Sequence, residues 1–291
     1  LKISSKLKNS ILWYYFLKFL ILPIYDFFWT YFINFKGKFL YGKFKKKKIS
    51  VSHKVPKNLP SIIIRNDKDF QEIAKKISES INYDFIEKKI NKIKQDNSIS
   101  KNRNFTFEFF SDLDEDIKEE IINFVKSDKN LAIANDYLKV FPVVGKIHVY
   151  VNFPISNEKE RAAMLWHKDD FGYKSLDFFV PITELTTLNG SMFYLNKPDD
   201  LHIFNRVPEI INNAQPKERN KVKLDDFRKY FKDQEINEFT GNAGDALLID
   251  SFRVYHRGGY CEKNIRIMFR ISYQTPDASR LLDTKQEYYN F

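Results

Sequence analysis

The chain has 291 residues, 48 Lys and Arg against 38 Asp and Glu for a net charge of +10, and 43% hydrophobic residues. That balance excludes collagen-like, disordered and multi-span membrane classes. A single cysteine, Cys261, excludes a disulfide framework and fits a reducing compartment such as a cytosol.

The charge is concentrated at one end. Residues 1–50 carry eleven Lys, no Arg and one acid, Asp26, while the rest of the chain holds 37 groups of each sign. The body is neutral, so no nucleic-acid-binding face is expected on it. Between the Lys clusters, residues 11–35 contain twelve aromatics, Trp13 and Trp29 among them, with Lys18, Asp26 and Asn34 as the strongly polar positions. Amphipathic rings flanked by Lys match the chemistry of a membrane–water interface. The stretch is too long for a signal peptide and lacks a small-residue cleavage site. Lys18, Pro23 and Asp26 disfavour a span, because an ionised group near the bilayer centre costs about 2.5–3.5 kcal/mol. The expectation is a basic aromatic arm, residues 1–52, lying in the plane of a membrane with a break at Pro23. An arm packed on its own domain or on a partner subunit is the alternative. The location expected is cytoplasmic, peripheral at the inner face of a membrane. Leu1 in place of Met marks either an alternative start codon or missing upstream residues.

After a proline-bearing linker at residues 54–60, residues 53–141 are read as a helical support region. Asp67 or Asp69 caps a helix whose apolar positions Phe70, Ile73, Ala74 and Ile77 recur at three- and four-residue spacing. Residues 81–93 and 117–125 repeat the period, and 97–103 form a polar loop. From residue 142 the texture becomes β: runs at 146–152, 176–182, 191–195, 246–250 and 265–273 are short, β-branched and bounded by turn residues. Such strands with no βαβ rhythm predict a mainly β core with α-helices before it, an antiparallel barrel or jelly roll over residues 142–291. A charged, Asn-rich insertion at 196–238 is expected to cover one end of it.

Two of the five histidines stand in unusual settings. His167 and Asp169 are separated by one residue, so on an extended chain an imidazole and a carboxylate project from the same face. His256 follows an apolar run from Ala246 and precedes the pair Gly258–Gly259. Two His and one carboxylate on one face of a metal leave three positions open, the arrangement used for non-haem Fe(II) in oxygenases. If 2-oxoglutarate is the co-substrate alongside O2, its distal carboxylate needs a cation. Arg266 stands ten residues after His256, on a strand whose faces divide into Ile265, Ile267, Phe269, Ile271 and Arg266, Met268, Arg270, Ser272. The second set implies a polar cavity in which a guanidinium can grip a carboxylate through two parallel hydrogen bonds. Arg266 and Arg270 both qualify.

Residues 164–195 and 244–273, with the runs Met-Leu-Trp-His-Lys-Asp and Leu-Thr-Thr-Leu-Asn-Gly-Ser-Met-Phe-Tyr-Leu, resemble the phytanoyl-CoA dioxygenase-like family of Fe(II)/2-oxoglutarate oxygenases. The resemblance implies a double-stranded β-helix, iron ligands His167, Asp169 and His256, Arg266 as the 2-oxoglutarate anchor, and Asn189-Gly190 as the turn before a cavity-lining strand. It also implies hydroxylation of a substrate; an arm lying on a membrane would make that substrate a lipid or a glycan precursor, with a small molecule as the wider class. Where the family commonly continues into a Pro-Gly-Ser-His loop, this chain has Asn196-Lys197-Pro198-Asp199-Asp200. No family substrate is carried over for that reason.

Tyr150 and Asn152 share a strand face with His148 and are candidates for contact with 2-oxoglutarate. His148 is read as a hydrogen-bonded structural group, His202 as a surface residue, Trp166 as packing and Cys261 as an inert thiol. The rival readings are a cupin-type enzyme using another divalent metal at the same ligands and a catalytically silent, membrane-associated interaction protein. Oligomeric state is not specified by the sequence.

Overall fold

In the computed structural model, residues 35–95, 105–155, 162–169, 174–195, 221–222, 224–228 and 233–276 are described, with Leu20 and Ile24. The remainder of the arm, most of the 196–238 insertion, His202 and residues 277–291 lie outside the described residues. Among the described residues no helix is long and apolar enough to cross a membrane.

Helical periodicity builds the first layer. Helix α1 (Phe35–Lys45) precedes a short strand, β1 (Ser61–Ile64), and then α2 (Lys68–Ser80) begins at Asp67, whose side chain accepts from the N–H groups of Asp69 and Phe70. That N-cap satisfies donors the helix cannot pair internally. The buried residues of α2 are Phe70, Ile73, Ala74 and Ile77, the stripe predicted from spacing. Helices α3 (Tyr83–Gln95), α4 (Glu115–Lys126) and α5 (Asp128–Leu138) follow. Ile121 and Val125 of α4 are fully buried, each such side chain contributing about 1.5–3 kcal/mol relative to exposure.

The strands are β2 (Thr106–Glu108), β3 (Val143–Asn152), β4 (Trp166–His167), β5 (Ser175–Pro181), β6 (Met192–Leu195), β7 (Lys221–Val222), β8 (Ile236–Phe239), β9 (Ala246–Ile249), β10 (His256–Gly258) and β11 (Arg266–Gln274). They form two sheets, ordered β1-β9-β5-β11-β3-β2 and β7-β4-β10-β6-β8, in which the strand pairs are antiparallel. From β3 to β6, and again from β8 to β11, successive strands alternate between the two sheets. A short helix, α6 (Leu224–Phe227), lies between β7 and β8.

The parity of β11 separates two cores. Ile267, Phe269 and Ile271 join Phe70, Ile121 and Val125 in the core beneath the helices. Met268 instead joins Met192, Phe239 and Leu247, residues of both sheets, in a second core. The larger sheet is therefore covered by helices on one face and by the smaller sheet on the other, with the Arg266–Arg270 side facing inward.

Two findings differ from the sequence reading. Strands β1 and β2 come from residues 53–141, read as a helical support region, and they form the two edges of the larger sheet. Strand β7 and all but the last residue of β8 lie in the span read as an insertion, yet these strands pair with β4 and β6. At two to four residues, these segments are too short to show a period against charged neighbours.

Candidate metal centre

Strand pairing brings the two histidines together. His256 is the register partner of His167 across β10 and β4, and their ring centroids are 4.4 Å apart at 49°. Each Nδ1 lies against the carbonyl two residues earlier, His167 to Leu165 at 2.7 Å and His256 to Val254 at 3.1 Å. A ring that donates from Nδ1 to a carbonyl presents the Nε2 lone pair to a metal. Asp169 is fixed through its backbone N–H, which donates to Ser251 O at 3.0 Å. Its Oδ1 lies 3.9 Å from His167 Nε2. One ligand atom from each of His167, Asp169 and His256 falls within 4.8 Å of the others, so the three predicted ligands converge.

The electrostatics favour the ligating forms of Asp169 and His256. Burial raises the Asp169 carboxyl, but the Arg270 guanidinium and the imidazoles of His256 and His167 outweigh it and hold the group well below the usual carboxylate range. Burial pushes His256 down against the opposing pull of Asp169, which favours neutral imidazole. Arg270 Nη2 donates to Asp169 Oδ2 at 2.6 Å and to Asp177 Oδ2 at 3.0 Å, and its guanidinium stacks 4.9 Å from the Phe179 ring. Asp177 is fully buried; burial raises its carboxyl, with Arg270 opposing. Ser251 Oγ donates to Asp177 and meets Ser175 Oγ at 3.0 Å.

Arg266 has different company. Its Nε and Nη2 donate to Asn152 Oδ1 at 3.1 and 2.6 Å, and Nη1 donates to the Gly190 carbonyl. Asn152 is its register partner on β3. Among the described residues no carboxylate pairs with Arg266, although it is buried. A Cβ at Gly258, two residues beyond His256, would stand 3.3 Å from Arg266 Nη2, so the absence of a side chain there admits the guanidinium beside the histidine strand. Gly190, at φ +88°, turns its carbonyl to the same group. Tyr150 lies between the two arginines in parity; burial raises its hydroxyl and the charges of Arg266 and Arg270 oppose this.

The other candidates separate from the centre. His148 Nδ1 is 3.9 Å from Glu108 Oε1. Trp166 stacks on Phe227 at 4.2 Å and 5°. Cys261 is buried, donates to Asn189 O at 3.0 Å, and has its thiol pushed up by burial. Sequence reasoning missed Asp177 and Ser251. Asp177 was visible as one acid inside the apolar run Leu176–Ile182, where a buried carboxylate requires a partner.

No protein-family model matches the chain, and no curated protein matches it. Solved structures that superpose on it include the non-heme α-ketoglutarate-dependent carbocyclase SnoK from nogalamycin biosynthesis, at 12% identity over 80% of this chain and 90% of that one, TM-score 0.49. EctD from S. alaskensis with bound Fe is 13% identical over 75% and 73% of the two chains, TM-score 0.46. AviO1 from Streptomyces viridochromogenes Tue57 is 12% identical over 75% and 91%, TM-score 0.44.

Proposed function

We propose that the chain is an Fe(II)/2-oxoglutarate-dependent oxygenase of the phytanoyl-CoA dioxygenase-like kind, a hydroxylase acting on a small molecule, a lipid or a glycan precursor. The alternation of strands between the sheets is then the winding of a double-stranded β-helix. The observation that carries this reading is the convergence of His167, Asp169 and His256 within 4.8 Å, both imidazoles tied at Nδ1. Two imidazoles and one carboxylate fit ferrous iron with open positions.

His167 and His256 would bind the metal through Nε2, and Asp169 through Oδ1, because Oδ2 is taken by Arg270. Arg266 would hold the distal carboxylate of 2-oxoglutarate: it is a buried cation with a neutral amide and a carbonyl as its partners, and burial makes such a charge favour an anionic ligand. Iron with 2-oxoglutarate and O2, when bound, supplies the oxidising power to attack an unactivated C–H bond, releasing succinate and CO2. The apolar side chains between the sheets, Met268, Met192 and Leu247 among them, would exclude water from that chemistry.

The test is succinate release from 2-oxoglutarate by the Fe(II)-loaded chain, together with binding of 2-oxoglutarate to the Mn(II)-loaded chain. Both are expected, and both are expected to vanish in His167→Ala. Metal binding with no affinity for 2-oxoglutarate overturns the reading in favour of another metal enzyme.

A further inference from the structure

Helix α1 has two sides with opposite fates. Its inner side is sealed against the body: a Cβ on Gly37 would meet Val140 Cγ2 at 2.4 Å, Gly37 O accepts from Phe141 N–H at 3.0 Å, and Phe44 is buried with its ring 5.9 Å from Phe141. Its outer side exposes Phe35 at 72% and Phe39 at 57%. These residues are one turn apart, so the rings share a face. Lys43 continues the same ridge, with Nζ 4.7 Å from the Phe39 ring. Lys45, Lys46 and Lys48 follow at once and are exposed. Lys47 pairs with Asp128 at 3.1 Å, but among the described residues Lys43, Lys45, Lys46 and Lys48 have no carboxylate partner.

We infer that this outer face of α1, together with the exposed lysines Lys43, Lys45, Lys46 and Lys48 at and just beyond its C-terminal end, docks on an anionic phospholipid surface. Two phenyl rings held outward by a fixed helix gain by leaving water for the headgroup boundary, and the ammonium groups beside them gain by approaching acidic headgroups. Other occupants satisfy only half of the surface. A second copy of the chain placed symmetrically on this face would bring the same lysines against each other. A nucleic-acid duplex would use the lysines and leave the phenyl rings in water. The inference stands apart from the proposed chemistry and needs neither metal nor co-substrate.

Co-sedimentation of the full chain with vesicles tests it, using phosphatidylcholine alone and phosphatidylcholine with phosphatidylglycerol in equal parts. Binding is expected only to the second, and it should weaken at least about tenfold when salt is raised to shorten electrostatic reach. The double variant Phe35→Ser/Phe39→Ser and the quadruple variant replacing Lys43, Lys45, Lys46 and Lys48 by Gln should each lose at least about tenfold in binding. Circular dichroism should show both folded, because the substituted side chains are exposed. Binding undiminished in the Phe variant overturns the inference even if the Lys variant loses it, since charge alone would then act. Equal binding to both vesicle types, or concentration-dependent dimers abolished by the Phe variant, also overturns it.

Discussion

Arg270 Nη2 lies 2.6 Å from Asp169 Oδ2 and 3.0 Å from Asp177 Oδ2, so one guanidinium joins a candidate metal ligand to a carboxylate buried behind it. The relationship leaves Asp169 Oδ1 toward His167. Both contacts come from Nη2 of a planar group that also stacks on the Phe179 ring, and a Lys ammonium on its flexible stem lacks that stacking and the fixed placement it gives. Arg270→Lys is expected to weaken divalent metal affinity about 10–100-fold, the usual effect of removing a group that orients a ligand. Titration with Mn(II) followed calorimetrically checks this. Affinity equal to wild type would mean that Asp169 is held by Ser251 alone.

Arg266 and Arg270 are distinguishable by which affinity each governs. Arg266 meets a neutral amide and a carbonyl, whereas Arg270 is already shared between two carboxylates. Arg266→Ala should leave Mn(II) affinity unchanged and raise the dissociation constant for 2-oxoglutarate at least about 30-fold, the effect of removing about 2 kcal/mol of buried charge pairing. If Arg270→Ala alone abolishes 2-oxoglutarate binding with metal affinity intact, the anchor has been assigned to the wrong arginine.

How much of this was legible follows from the kind of signal involved. The His167–Asp169 pair could be read because period two puts i and i+2 on one face. The β11 faces could be read because nine residues sustain the alternation of Ile267, Phe269 and Ile271 against Arg266, Met268 and Arg270. The α2 stripe was read for the same reason at helical period. Strand β7, at two residues, and the edge strand β2, at three, are too short to carry a period; pairing with neighbours distant in sequence defines them. The different partners of the two arginines were also illegible. They include Asp177 of β5 and Asn152 of β3, which reach β11 through register.

The turn before β6 offers a stability test with its own control. At Gly190 the backbone is left-handed, φ +88°, and an added Cβ would lie 2.7 Å from Gly259 O. Gly190→Ala should therefore cost more than about 2 kcal/mol in urea unfolding, combining backbone strain with overpacking. Gly42, in helix α1, has nothing within 4 Å of an added Cβ. Gly42→Ala should stabilise by about 0.5–1 kcal/mol. Similar effects at both positions would deny Gly190 its special conformation.

Asp250 gives the fold a pH dependence of definite sign. It is fully buried at the end of β9, accepts from Tyr137 Oη at 2.6 Å, and accepts from the N–H groups of Phe252 and Arg253. Burial is the largest influence and raises its pKa from 3.8 to about 6, against the pull of Arg253 and Tyr137. The folded state therefore binds more protons than the unfolded state between these values, and the resulting stability is present below pH 4 and lost as pH rises through about 6. A shift of about two units corresponds to about 3 kcal/mol. Asp250→Asn removes the titration while keeping the shape. Subtracting the variant's unfolding free energy from that of the wild type cancels the opposite behaviour of Asp169, whose lowered pKa makes stability rise with pH. The difference should fall by about 2.5 kcal/mol between pH 4 and pH 7, most steeply near pH 5, midway between the unfolded and folded values, and flatten above 6. A difference that stays flat, or that grows with pH, would show that Asp250 is ionised in the folded state throughout and that Tyr137 and the turn N–H groups offset its burial.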